Sequence, residues 1–196
     1  MMVYPIEFEF KVMAFAPQFY VRDGDGREIA FVKQKLFKLK EDITVFENDS
    51  QQKESFRIKA DRWLDWSAAY TFYNINGMES GKVRRKGAKS LWKATYEIFN
   101  KEDINDFKIE ENNSFVKVMD ALISEIPILG FLTGYVLNPK YNITDENGLE
   151  VAVFSKEPSF WGKKFLLRQI EEVSPEAEER IILSLMMMVL LERRRG

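Results

Sequence analysis

Apolar and polar residues alternate along most of this chain, and the alternation is what predicts its elements. Glu7 to Ala14 places Phe8, Phe10 and Val12 on one parity, which makes a strand with one buried face. Phe19 to Arg22 and Arg27 to Leu36 continue in the same way across Asp23-Gly24-Asp25-Gly26, a Gly-rich link that signals a hairpin. Further strands are predicted at Ile43 to Glu47, Phe56 to Ala60, Tyr70 to Asn74 and Lys82 to Arg85. In Leu91 to Phe99, Trp92, Ala94, Tyr96 and Ile98 share one side and Lys93, Thr95 and Glu97 the other. Tyr141 to Thr144 and Leu149 to Phe154 form a hairpin across Asp145 to Gly148, and Lys163 to Ile170 is a last strand. Between these runs the period changes once. Phe115, Val118, Met119, Leu122 and Ile126 recur at steps of three and four, so Ser114 to Glu125 is predicted as a short amphipathic helix ended by Pro127.

The C-terminal stretch follows a different rule. Ser174 suits an N-cap, Pro175 the first helical position, and Glu176, Glu178 and Glu179 the positive end of a helix. Arg193 to Arg195 complement the other end. From Ile181 to Leu191 every residue except Ser184 is apolar, so this helix has no polar face and must be surrounded. The run is roughly 16 Å long at about 1.5 Å per residue, against a hydrocarbon thickness of roughly 30 Å. It is too short to span a bilayer and reads as the axis of a protein core. Many short strands with one helix that needs cover on all sides predict a mainly β fold, a closed antiparallel barrel plugged by its own C-terminal helix. Residues 1–196 show no dividing linker and no repeat of fixed period, and read as a single domain.

Composition narrows the chemistry. The chain has neither Cys nor His. That excludes disulfides, thiolate or imidazole metal sites, and triads built on either residue. No metal and no cofactor is expected. The formal net charge is −2, from 29 basic and 31 acidic residues, which argues against a nucleic-acid binder. Met1 to Phe15 has neither the basic head nor the continuous apolar run of a signal peptide. The expected location is cytoplasmic, with peripheral contact to a membrane.

Two stretches resemble a known family. Phe31-Val32-Lys33-Gln34-Lys35-Leu36-Phe37-Lys38-Leu39-Lys40 with Ile43-Thr44-Val45-Phe46-Glu47 is similar to the opening strands of LURP-one-related proteins, and Ser90-Leu91-Trp92 with Tyr96-Glu97-Ile98-Phe99 to a later strand pair. Leu185 to Arg195 resembles the C-terminal helix of bacterial relatives of the phospholipid scramblases. Both groups belong to the tubby C-terminal-like superfamily. The resemblance implies about twelve strands around a central helix. It also implies, by analogy with tubby-like domains and scramblases, contact with phospholipid. The chain lacks the cysteine-rich segment of scramblases, and no tubby head-group site can be matched residue by residue. Ser114 to Glu125 looks like an additional helix relative to the plant members.

The candidate site is basic. Lys33, Lys35, Lys38 and Lys40 form one group, and Arg84, Arg85, Lys86 and Lys89 a second. Together they would meet anionic phospholipid head groups; the plainer reading makes them solvated strand faces. Ile126 to Leu137, apolar with two glycines, would dip into an interface or belong to the core. Trp63 and Trp66 suit either a stacking platform or packing, and Glu171 with Glu172 makes a poor glycosidase pair. The function expected is that of a non-enzymatic barrel binding a ligand or partner, in peripheral contact with anionic phospholipid. The alternative is a structural or regulatory protein-interaction module without lipid affinity. An enzyme with a carboxylate site in the barrel mouth is the third reading, weakened by the missing His and Cys.

Overall fold

The computed structural model describes residues 2–11, 18–34, 42–61, 69–86, 95–112, 140–157 and 164–193. Within them lie twelve strands and a helix. The strands are β1 (Ile6–Phe10), β2 (Gln18–Arg22), β3 (Glu28–Gln34), β4 (Asp42–Phe46), β5 (Glu54–Ala60) and β6 (Ala69–Asn74), followed by β7 (Glu79–Lys86), β8 (Thr95–Phe99), β9 (Asn105–Glu111), β10 (Lys140–Asp145), β11 (Glu150–Glu157) and β12 (Lys164–Gln169). The helix, α1, spans Pro175–Arg193. Each strand pairs antiparallel with its neighbours in sequence, and β1 pairs with β12, so the sheet closes into a barrel. The predicted helix Ser114 to Glu125, the run Ile126 to Leu137, and Trp63 with Trp66 lie outside the described residues.

Closure puts one parity of every strand inside. Ile6 and Phe8, Phe19 and Val21, Ile43 and Val45, Ile98, Ile109, Ile143, Phe154 and Phe165 are all buried and meet in one core around α1. Along α1, Ile181 to Leu190 are each no more than 4% exposed, as a helix apolar on every side requires. Ser184 is accommodated because its hydroxyl donates to the Arg180 carbonyl at 2.7 Å. Ser174 caps the start, its Oγ accepting the Ala177 N–H at 3.2 Å. α1 lies against β6, β7 and β8, and Gly81 on β7 makes that approach possible. On adjoining strands β2, β1, β12 and β11, the rings of Phe19, Phe8, Phe165 and Phe154 fill the core, with Phe154 stacked on Phe165 at 5.3 Å.

Four of the five hairpins at the end where α1 begins share one construction; the β4–β5 turn at Asn48 does not. Asp23, Asn74, Asn100 and Asp145 each accept two backbone N–H groups, from residues two and four further on. The residue three further on is left-handed each time: Gly26, Gly77, Asp103 (φ 63°) and Gly148. This is an Asx-anchored turn closed by a bulge residue. It recurs along the chain as geometry while the sequence around it changes.

Candidate functional site

The outer wall follows from the same alternation. On the parity opposite the core, Lys33, Thr44, Arg57 and Tyr73 are successive register partners across β3, β4, β5 and β6, with Thr44 itself buried. A second row runs from Lys59 through Thr71 to Lys82 and Phe99 on β5 to β8. Arg84 follows Lys82 on the same parity of β7 and pairs in register with Glu97. With strands about 4.8 Å apart, five cations thus share one face of the barrel.

Their engagements differ. Lys33 donates to Gln51 Oε1 at 2.9 Å. Arg57 grips Glu54 Oε2 through Nε and Nη2 at 2.8 and 2.6 Å. Lys82 pairs with Asp103 at 2.9 Å, and that hydrogen bond is the main reason the Asp103 carboxyl titrates below its ordinary range. Lys59 sits 5.2 Å from the centre of the Tyr73 ring and Arg84 4.9 Å from that of Phe99. Among the described residues, neither forms an ion pair, although Arg84 is near enough to Asp103 to help hold its carboxyl down. Their stems cover aromatic surface while their charges stay available.

Next to this face is a depression of about 430 Å³ lined by Glu54, Phe56, Arg57, Lys59, Tyr73, Asn74, Ile75 and Gly77, in which Glu54 is the partner of Arg57. At the tip of the β6–β7 hairpin, Ile75 is 65% and Met78 58% exposed. With Arg57 committed to Glu54, the Lys59 ammonium, the Tyr73 phenol and the Asn74 amide can meet an anionic oxygen next to an apolar surface.

The structure distributes the sequence-predicted residues unevenly. Lys33 and Arg84 are on the outer wall, separated by the three strands between β3 and β7. Lys86 is also outward and is ion-paired to Glu97. Arg85 departs from the expected outer group. It shares the inward parity of Gly81 and Val83, is 5% exposed, and belongs to the barrel interior, because neighbours on a strand face opposite sides. Lys35, Lys38, Lys40 and Lys89 lie outside the described residues. Sequence reasoning passed over Arg57, Lys59 and Lys82, which join β3 to β7 into one face. Their signal was present in Phe56-Arg57-Ile58-Lys59-Ala60, where both cations oppose Ile58.

Among the described residues, no group of three or more Asp or Glu side chains is arranged to hold a metal ion. No helix among them is long and apolar enough to cross a membrane. The wall carries Glu7, Glu9, Arg22, Arg57, Lys59, Lys82, Lys108 and Arg168, where a lipid-facing barrel has an apolar band.

A closed twelve-stranded antiparallel barrel wrapped around its own C-terminal helix defines a tubby-like fold. Residues 28–189 match the LURP-one-related family, which lies within the tubby-like superfamily, so this chain belongs to the LURP-one-related proteins. No curated protein and no solved structure matches the chain. The family is generally non-enzymatic, and its barrel is consistent with a binding role.

Proposed function

We propose that this protein is a non-enzymatic binding barrel that attaches peripherally to anionic phospholipid through the outer face of β5 to β7. The observation carrying this reading is that Lys59 lies over the Tyr73 ring, in no ion pair among the described residues, in the depression that reaches the exposed tip residue Ile75, with Lys82 and Arg84 further along the same outer parity. Cations near an anionic leaflet contribute about 1 kcal/mol each, and an apolar tip entering the head-group region adds burial. Attachment of this kind is weak and weakened by salt.

The test is co-sedimentation with neutral and anionic vesicles at low and physiological salt. Binding should be confined to anionic vesicles and fall as salt rises. Lys59→Glu with Arg84→Glu should reduce it by about 2 kcal/mol per reversal, and Ile75→Ser with Met78→Ser should reduce it without altering its salt dependence. Equal binding by wild type and the charge-reversed variant, or none by the wild type, refutes the lipid reading. It would move the function to protein interaction.

A further inference from the structure

The large exposed apolar side chains among the described residues are Val3, Ile75, Met78, Ile104, Leu149 and Ile170. All six lie at the end of the barrel where α1 begins, on hairpin tips or connecting links. Away from the β6–β7 tip, Ile104 and Leu149 line a groove of about 510 Å³ between the β8–β9 hairpin, the β10–β11 hairpin and the link into α1. Ile170, half exposed, begins that link. A groove of this size, part apolar and part polar, is in the range that accommodates a ligand or a few side chains of a bound chain.

Charge decides what fits. Asp106, Asp145, Glu146, Glu171 and Glu172 line the groove, against one cation, Arg180, which is ion-paired to Asp106. Asp145 is committed to its turn, accepting the N–H groups of Asn147 at 2.9 Å and Leu149 at 2.8 Å. Glu146, Glu171 and Glu172 are exposed and meet no cation among the described residues. Asp106 Oδ1 and Arg180 Nε are buried without a hydrogen-bond partner. These carboxylates sit on separate segments and form no cluster suited to a metal ion. Dispersed negative charge is matched by dispersed positive charge. An anionic membrane would be repelled here, and a second copy meeting this groove end to end would bring the same acidic charge.

We propose that this groove docks a segment of a partner protein in which Lys or Arg residues alternate with apolar ones, apolar side chains seating on Ile104 and Leu149 and cations on Glu146, Glu171 and Glu172. The surface is separate from the β5–β7 face, and the inference stands independently of lipid attachment.

The test is fluorescence anisotropy of the full chain with labelled synthetic peptides that alternate Lys with Leu, Lys with Ser, or Glu with Leu. Only the Lys–Leu peptide should saturate. Glu146→Lys with Glu172→Lys, and separately Ile104→Ser with Leu149→Ser, should each weaken it at least about tenfold, while Lys59→Glu with Arg84→Glu should not. Glu146, Glu172, Ile104, Leu149 and Lys59 are exposed, so thermal melts of the groove variants should match the wild type; Arg84 is half-buried on Phe99, and its variant serves as a control once its melt shows it folded. Equal affinity for the Lys–Ser peptide, indifference to the groove variants, or no binding overturns the proposal. Self-association, or binding to neutral vesicles, that Ile104→Ser with Leu149→Ser abolishes would also overturn it, by giving the groove a second copy or a membrane as occupant.

Discussion

Gly81→Ala should be among the most damaging single-methyl additions to this protein. Gly81 has φ 141°, a backbone region in which side chains other than glycine are strained by about 1–3 kcal/mol. A Cβ there would run into the carbonyl oxygen of Phe99 and lie 2.6 Å from Arg180 Cδ. The carbonyl is held in the β7–β8 ladder and cannot retreat, so Arg180 must. Arg180 is ion-paired with Asp106 of β9, and disturbing a charged hydrogen bond of this kind costs about 1.5–3 kcal/mol. The two effects together reach about 2.5–6 kcal/mol, a large share of an ordinary stability of about 5–15 kcal/mol. Urea unfolding followed by far-UV circular dichroism would measure the loss. In an Arg180→Ala background the penalty of Gly81→Ala should shrink by at least about 1 kcal/mol, because the mobile half of the clash is gone. A loss below about 1 kcal/mol in the wild-type background would refute the claim that Gly81 is what lets α1 lie against β7.

Leu185 is fully buried at the middle of α1, and Leu185→Glu should leave the chain unable to fold, since an unpaired charge would sit on the barrel axis; a cooperative melt of that variant would contradict the central helix. Gln51 is left-handed at φ 58°, so Gln51→Gly should raise stability by about 0.5 kcal/mol and the melting temperature by about 1–2 °C in a thermal scan, with loss of its contact to Lys33 a minor exposed term. The Asp145 carboxyl is held below its ordinary 3.8, first by the Leu149 N–H, with help from Asn147 and Gly148 and against desolvation. The unfolded chain therefore takes up this proton first as pH falls, so the stability it contributes is present above the unfolded pKa and lost as pH drops through the depressed folded value. Asp145→Asn should flatten that part of the acid limb in urea melts below about pH 4, and an unchanged limb would dismiss the turn as its source.

Elements whose signal is local could be read from the sequence alone. α1 was legible because Ser174, Pro175 and the first-turn glutamates mark its start, and because an all-apolar run too short for a membrane leaves only a core to occupy. Eleven of the strands showed their alternation or their flanking turns. β9 was overlooked although Phe107 and Ile109 alternate with Lys108 and Glu110, and its preceding turn hid because Asp103 takes the left-handed place that glycine holds in three sister hairpins. The site was harder for a physical reason. A cluster of basic residues in sequence, such as Arg84-Arg85-Lys86, is split between two faces by the pleat. A basic face is assembled by register from residues about 15 to 25 positions apart, and register is set by hairpin lengths and bulges. Lys59 and Lys82 become neighbours only once Thr71 of β6 lies between them.

Closure also shapes what such a protein can do. The barrel offers no free strand edge between β1 and β12, so recognition by adding a strand is closed off, and binding must use wall side chains and the hairpin rim. A formal charge of −2 conceals how those surfaces differ. Cations gather outside β3 to β7, and carboxylates gather at the rim from β9 to the start of α1. In the closed strand order β6 stands opposite β12, so a barrel lying with β5 to β7 against an anionic surface turns the acidic groove toward water. The two proposed contacts therefore do not compete. Glu172→Lys should weaken the basic-peptide contact while leaving vesicle binding intact, and Lys59→Glu should do the reverse; a variant that loses both would mean that the two faces act as one site.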